Sequence, residues 1–521
     1  MDLCDLTAVQ IADGVRARKF SATEVVLAYL KRCEALDPKL GAMLSVSVGQ
    51  VKTQARRVDA KVFAREDAGL LGGVPVGVKD VFATRGLATT CGSKILEGYV
   101  PPYDATVVRR IRLAGGIVAG KTNCDEFAMG SSTENSAYKP CRNPWDPSRV
   151  PGGSSGGSAA GVAAGYFPVA VGTDTGGSIR QPASLCGIVG LKPTYGRVSR
   201  FGVIAYASSL DHPGPMTRTV EDAALLLQCV AGLDPRDATS APRAVPGYRA
   251  AVVAQRERAL GKGPWRGGNG AAAAQERPLR VGVPKEYFAA AQGGGGEAGG
   301  AGGPSGIDPQ VAAGVRAAID ALAKDGAEVT EVSLPHTEYA LATYYILAPA
   351  EASSNLARYD GVRYGMRAKR ADLVETYAAT RRAGFGAEVR RRILIGTYVL
   401  SAGYYDAFYR RAQKARMLLR RDFVEAFKQV DVLVTPTSPV TAFALGERTA
   451  DPVSMYLADV YTIAADLAGV PALSVPCGFD DRGLPIGMQI MGPHFGETEV
   501  LRAGGRYEAL TDWHTRRPGT T

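Results

Sequence analysis

The sequence predicts an α/β fold built around a central sheet. Three observations carry that expectation. Short apolar runs at Val74–Val78, Gly116–Ala119 and Pro168–Gly172 have the length of buried strands. They alternate with segments whose apolar residues recur at helical spacing, the pattern of layered α/β proteins. Residues 152–165 are almost all Gly, Ser and Ala. A helix of such small residues lets its backbone approach its neighbours closely, so it belongs in the middle of the fold.

The elements follow in order. Ser21-Ala-Thr-Glu24 is a capping box, in which serine and glutamate each satisfy a free backbone N–H at a helix start. Val25, Val26, Tyr29, Leu30 and Cys33 then share one face. A helix containing Val107, Val108 and Ile111 precedes a strand through Ile117, Val118 and Ala119. Further on, Leu279-Arg-Val-Gly-Val283 reads as a strand. Asp308 caps a helix with Pro309 in its first position, Val311, Val315, Ile319 and Leu322 form its buried stripe, and Gly326 ends it. Two stretches read as low-complexity surface insertions: 241–277, mixing Pro, Gly and Arg with an alanine run, and 289–306, nearly pure Gly and Ala. The elements flanking them are regular. They are therefore expected to decorate one domain spanning 1–521, and no internal repeat divides it.

Bulk properties exclude more than they assign. The net charge of +10, from 61 basic and 51 acidic residues, is spread without a dense Lys/Arg block, so charge alone does not indicate direct RNA binding. The eight cysteines are scattered, the closest pair 17 residues apart, which gives no zinc spacing and fits a reducing compartment; no metal site is expected. No apolar run reaches the roughly 18–20 residues of a membrane span, and no membrane partner is expected. Asp2, Asp5 and Asp13 do not suit a signal or transit peptide.

The chemistry concentrates in three places. Gly172-Thr-Asp-Thr-Gly-Gly-Ser-Ile-Arg180 presents Ser178 after two glycines; Gly152-Gly-Ser-Ser-Gly-Gly-Ser158 presents Ser154; and Lys79 closes an apolar strand. Ser178 is the candidate nucleophile, and the uncovered N–H groups of Gly176 and Gly177 are candidate donors to an oxyanion. A helix N-cap is the alternative role for Ser178. Of the four histidines, His336 follows a proline and His514 lies near the end, while neither His212 nor His494 is read in a Gly-rich or strand-end context, so all four are read as structural. Lysine is the better base, since burial can lower an ammonium pKa from about 10.4 towards 7. The alternative for Lys79 is a salt bridge to Asp80. Gly115-Gly-Ile-Val-Ala-Gly-Lys-Thr122 matches a phosphate-loop pattern, but its middle reads as a strand and the residues after Lys121 as a turn, so it is rejected.

Together these motifs resemble the amidase signature family. The resemblance runs from about residue 5 to about residue 517, the two insertions apart. It implies a single domain with a large mixed β-sheet covered by helices on both faces, the signature core lying at about 70–220. It also implies a Ser-cisSer-Lys triad: Ser178 attacks an amide, Ser154, after a cis Gly153–Ser154 bond, relays the proton, and Lys79 takes it. Lys121–Ser136 and Glu351–Gly361 are similar to one branch of the family, glutaminases that supply ammonia for tRNA-dependent amidation. That likeness implies a clamp for the α-groups of glutamine at Tyr344, Arg392 and Asp459, with Tyr345, Arg390 and Arg391 as neighbouring registers. It implies partner subunits too: a B subunit that binds Glu-tRNA(Gln) and uses ATP and Mg²⁺, and a C subunit that straps the two together, with no cofactor in this chain. The Gly/Ala/Arg bias and plastid-type likeness suggest a chloroplast stroma or mitochondrial matrix, with a bacterial cytoplasm as the alternative. The rival readings are a stand-alone amide hydrolase and an inactive RNA-binding scaffold.

Overall fold

The computed structural model describes residues 2–260, 277–288 and 306–519. One eleven-stranded sheet organises them. Its strands are β1 (Met43–Ser45), β2 (Pro75–Lys79), β3 (Ile117–Thr122), β4 (Val169–Asp174), β5 (Val189–Lys192), β6 (His212–Thr217), β7 (Arg280–Pro284), β8 (Glu328–Val332), β9 (Val432–Pro436), β10 (Ala472–Phe479) and β11 (Pro485–Met491). Their order is β1-β3-β2-β4-β6-β5-β10-β11-β9-β7-β8. The sheet is mixed: β3, β2 and β4 run parallel, as do β9, β7 and β8, and the pairs between these groups are antiparallel. Every residue of β2 to β6, β9 and β11 is buried, so both faces of the central sheet are covered, as the sequence predicts. The outer strand β8 shows Glu328, Thr330 and Glu331 to solvent, and charge on an edge discourages pairing with another chain.

Several local readings hold. The capping box of Ser21 and Glu24 starts the helix Ala22–Leu40. Asp308 caps the helix Pro309–Lys324, with Pro309 in its first turn. Residues 117–122 form β3, so the phosphate-loop pattern is a strand. One reading needs correction. Within 241–277, Tyr248–Ala259 is a regular helix whose Tyr248 and Val252 are buried; it packs on the helix Glu497–Leu510, where Gly505 makes room for Val252. Residues 261–276 of that stretch, and all of 289–306 except Gly306, lie outside the described residues. Among the described residues no helix is long and apolar enough to cross a membrane.

The small-residue helix spans Gly156–Ala163 and is buried at every position, packed against the neighbouring strands β2 and β4. A Cβ on Gly157 would lie 2.5 Å from the carbonyl oxygen of Ala42 and from the backbone of Asn123, which explains why nothing larger is tolerated there. A second close approach joins two helices that frame the site. Helices Ala340–Asn355 and Ala387–Val399 cross with Gly396 against Pro349, where a Cβ would fall 1.9 Å from the Pro349 carbonyl oxygen. Gly396→Ala should therefore force these helices apart and cost about 2 kcal/mol of stability in urea unfolding. Gly478→Ala, where the space is open, should stay within about 0.5 kcal/mol of the parent.

Candidate active site

Lys79 ends β2. Because β2 and β4 are parallel neighbours with Val78 opposite Val171, the end of β2 lies beside Thr173 of β4. The buried Lys79 Nζ sits 2.7 Å from Ser154 Oγ, 2.9 Å from Thr173 Oγ1 and 3.5 Å from the Thr173 carbonyl oxygen. As an ammonium, Nζ donates to all three oxygens; once deprotonated it keeps two N–H bonds for Thr173 and can accept from the Ser154 hydroxyl through its lone pair. The carboxylate next in sequence is unavailable. Asp80 pairs with Lys121 Nζ at 3.0 Å and accepts from the backbone N–H and hydroxyl of Thr90. The alternative pairing of Lys79 with Asp80 is thus excluded, and the lysine of the rejected phosphate-loop pattern is the reason. Burial pulls the Lys79 pKa from 10.5 down to about 8.

The second serine loop comes directly after β4. Asp174 accepts from the N–H groups of Gly177, Ile179 and Arg180 and from the Arg180 guanidinium at 2.9 Å. Burial opposes its ionisation, but Arg180 overrides that and holds Asp174 well below the usual carboxylate range. Arg180 in turn reaches Asp466 and Gln489, which ties the loop to the far side of the fold. This network corrects one expectation. The Gly177 N–H is already donated to Asp174 Oδ1 at 2.7 Å, so it is not a free oxyanion donor. The N–H groups of Gly176 and Ser178 donate to no described residue. Gly177 is required for another reason: its φ is +136°, and a Cβ there would lie 2.2 Å from Thr462 Oγ1.

Ser178 is 7% exposed and Ser154 is 0% exposed, so Ser178 is the serine that a substrate can reach. The two loops touch through their backbones, Ser155 N–H donating to the Ser178 carbonyl at 3.2 Å. The Gly153–Ser154 peptide bond is cis. The Ser178 hydroxyl makes no hydrogen bond to a described residue, so the lysine half of the relay is assembled and the hydroxyl-to-hydroxyl bond is not. No histidine takes part. His212 lies on Asp174 O, His494 on Ala468 O, His336 on Asp422 and His514 near Glu508.

Two of the three proposed clamp residues, Tyr344 and Asp459, lie against the serine loop. Tyr344 lies over Gly176, where a Cβ would be 2.7 Å from its ring. Asp459 Oδ1 lies 3.4 Å from the position of a Cβ on Gly177. Asp459 Oδ2 accepts from Ser131 Oγ at 2.5 Å, whereas the buried Oδ1 has no partner. Burial pushes the Asp459 carboxyl up to about 8. Of the three arginines, Arg392 is the one buried in the fold, whereas Arg390 and Arg391 are exposed. It donates to Glu388 Oε1 at 2.8 Å and to the Tyr206 hydroxyl at 2.7 Å, and lies over the rings of Tyr206, Tyr345 and Tyr456. Tyr345 takes the cage position and Tyr344 the position at the serine loop. Sequence reasoning missed Thr173, Ser131, Tyr206 and Glu388. Thr173 and Ser131 sit inside motifs already singled out; Tyr206 and Glu388 carry no local signal. Among the described residues no cluster of His, Cys, Asp and Glu could hold a metal ion.

A family model described as Amidase matches residues 24–501. The chain belongs to the amidase signature family. Its relatives include the A subunit of the glutamyl-tRNA(Gln) amidotransferase of Roseiflexus castenholzii, 54% identical over 516 residues that make up 99% of this chain and 98% of that one. Among solved structures, the corresponding protein of Thermotoga maritima, of the same name, is 42% identical over 96% of this chain and 94% of its own, with a TM-score of 0.73. The peptide amidase of Stenotrophomonas maltophilia is 31% identical over 98% of each chain, with a TM-score of 0.78. Proteins of different names thus share this amidase-signature fold.

The base can be tested without a natural substrate. Acylation of Ser178 by an activated acyl probe should accelerate about tenfold per pH unit below 8 and level off above it, since only the uncharged Lys79 accepts a proton. Lys79→Arg, which cannot deprotonate, should remove this dependence and lower the rate by at least about a hundredfold, as stopped-flow measurement would show.

Proposed function

We propose that the chain is the glutaminase subunit of a glutamyl-tRNA(Gln) amidotransferase. The observation that carries this reading is a pair of buried groups of opposite kind: a carboxyl oxygen on Asp459, against the serine loop at Gly177 and without a partner among the described residues, and the guanidinium of Arg392. A free amino acid has one ammonium and one carboxylate, and this pair matches them. The names of relatives about 54% identical over nearly the whole chain support the same assignment.

In this reading Ser178 Oγ, after side-chain rotation towards Ser154, attacks the carboxamide carbon of glutamine. Its proton passes to Ser154, whose own proton passes to Lys79. The oxyanion is held by the free N–H groups of Gly176 and Ser178, with Gly177 shaping the turn. Lys79 returns its proton through Ser154 to the leaving nitrogen, which departs as ammonia, and water then releases glutamate by the same route in reverse. The ammonia serves a B subunit that activates Glu-tRNA(Gln) with ATP and Mg²⁺, with a C subunit joining the two. A stand-alone amide hydrolase is the rival, but apolar amides would gain nothing from Asp459 and Arg392. For the compartment, the relatives at this identity are bacterial and favour a bacterial cytoplasm. Composition is what supports the chloroplast stroma or mitochondrial matrix.

Reconstitution with candidate B and C subunits tests the role. Ser178→Ala should lose glutamine-driven formation of Gln-tRNA(Gln) and keep formation driven by free ammonia; equal loss of both would reject it. Binding provides a second check. With its pKa at about 8, Asp459 is mostly protonated at pH 7, and an incoming ammonium favours the carboxylate, so glutamine binding should release close to one proton. Calorimetry of Ser178→Ala in buffers of different ionisation enthalpy should show that release at pH 7, fading as pH rises above 8. It should be absent when Asp459→Asn is added.

A further inference from the structure

We propose that Glu126 is a positioning residue for Arg392: it fastens the start of the Arg392 helix to the loop that holds Asp459 and the Ser154 backbone. The proposal rests on the reading of Arg392 as part of the glutamine clamp. Glu126 lies in the turn Glu126–Ala128 and is buried without a salt-bridge partner among the described residues. One carboxyl oxygen accepts the Gly386 N–H at 2.8 Å. The other meets the Ser93 hydroxyl, which lies 3.1 Å from the Gly384 carbonyl oxygen. Gly386 is the N-cap of Ala387–Val399 and has no side chain of its own to bring to the helix start. In a capping box a glutamate three residues into the helix satisfies this N–H; here the glutamate comes from 260 residues away. The adjoining rings reinforce the joint, Phe127 meeting Phe385 edge-on at 5.7 Å.

The loop thus fastened has two further contacts with the site. Asp125 N–H donates to the Ser154 carbonyl at 3.3 Å, and Ser131 Oγ donates to Asp459 at 2.5 Å. Arg392 lies six residues beyond Gly386 on one rigid helix, so a shift at the helix start is carried to its guanidinium. Glu126 therefore sets the spacing between the two charges that grip the substrate. Burial pushes the Glu126 pKa up to about 7. Its protonated form satisfies each contact: its O–H donates to Ser93, Ser93 donates to Gly384, and the remaining oxygen accepts from Gly386. A glutamine side chain offers the same pattern.

The test is steady-state glutamine hydrolysis by the chain assembled with its B and C subunits. Glu126→Ala should raise KM for glutamine about tenfold and leave kcat within about twofold, because the clamp and not the serine loop is displaced. Glu126→Gln should stay within about twofold of the parent in both constants. In an Arg392→Ala background, Glu126→Ala should add no further rise in KM, since a residue acting through Arg392 has nothing left to position. Should Glu126→Ala not fold, Gly386→Ala replaces it: the backbone there is extended, with φ −70° and ψ 173°, and a Cβ would fall 2.4 Å from Glu126 Oε2, so the same KM rise is expected. An unchanged KM, a loss confined to kcat, or a full additional effect in the Arg392→Ala background would each overturn the proposal. If Arg392→Ala alone leaves KM unchanged, it is the clamp reading that fails, and the role of Glu126 falls with it.

Discussion

The site depends on keeping one buried lysine away from every carboxylate. An ammonium taken out of water seeks a counter-ion, and Asp80 is covalently next to Lys79. The fold prevents the pairing through strand alternation and a competitor. Successive residues of β2 point to opposite faces, so Asp80 leaves on the side where Lys121 waits. The buried pair Lys121–Asp80 satisfies both charges there and leaves Lys79 with hydroxyl and carbonyl partners. Replacing Lys121 by a neutral residue would free Asp80 to pair with Lys79 and hold its ammonium form to higher pH. A residue that touches no substrate thereby governs the basicity of one that does the chemistry.

Close backbone packing is the second requirement, and it sets the composition of the signature. Ser154 and Thr173 come from two segments that meet around the Lys79 amine, and Ser178 is joined to them through its backbone carbonyl. That is feasible only if the helix behind Ser154 lies nearly against the sheet, which Gly157 allows, and if the turn before Ser178 admits Thr462, which Gly177 allows. Thr462 Oγ1 donates to the Gly176 carbonyl at 2.6 Å and lies 2.9 Å from the Asp459 carbonyl oxygen. The Ser178 loop and the Asp459 segment are consequently one mechanical unit, and their spacing is set by the backbone rather than by flexible side chains.

Where the sequence was legible, the reason was local. Capping boxes, the Asp308-Pro309 helix start and apolar runs of strand length are properties of a few adjacent residues, and they located the helices and strands that frame the site. Lys79, Ser154 and Ser178 were legible because glycine loops beside apolar strands are uncommon enough to attract notice. The use of the Gly177 N–H was not, since it depends on where the Asp174 carboxylate points once Arg180 has fixed it. Tyr206 and Glu388 reach Arg392 from distant segments, and nothing in their own neighbourhoods announces that. The helix Tyr248–Ala259 was hidden by an arginine- and alanine-rich composition. Its signal was the pair Tyr248 and Val252, four residues apart, facing the helix Glu497–Leu510.

Under the proposed glutamine reading, Asp459 and Arg392 form a clamp whose two ends are neutralised, which bears on how it discriminates. Asp459 is favoured as the uncharged acid by burial, and Arg392 is balanced by Glu388, so neither end carries an uncompensated charge before substrate arrives. Binding must reverse both conditions: an ammonium has to draw the proton off Asp459, and a carboxylate has to share Arg392 with Glu388. A ligand with only one of these groups meets the cost of one reorganisation and leaves the other end unmatched. A neutral amide meets neither charge and finds only aromatic walls. Selectivity for a free amino acid then comes from the need to satisfy two buried groups at once, a stricter condition than shape alone would impose.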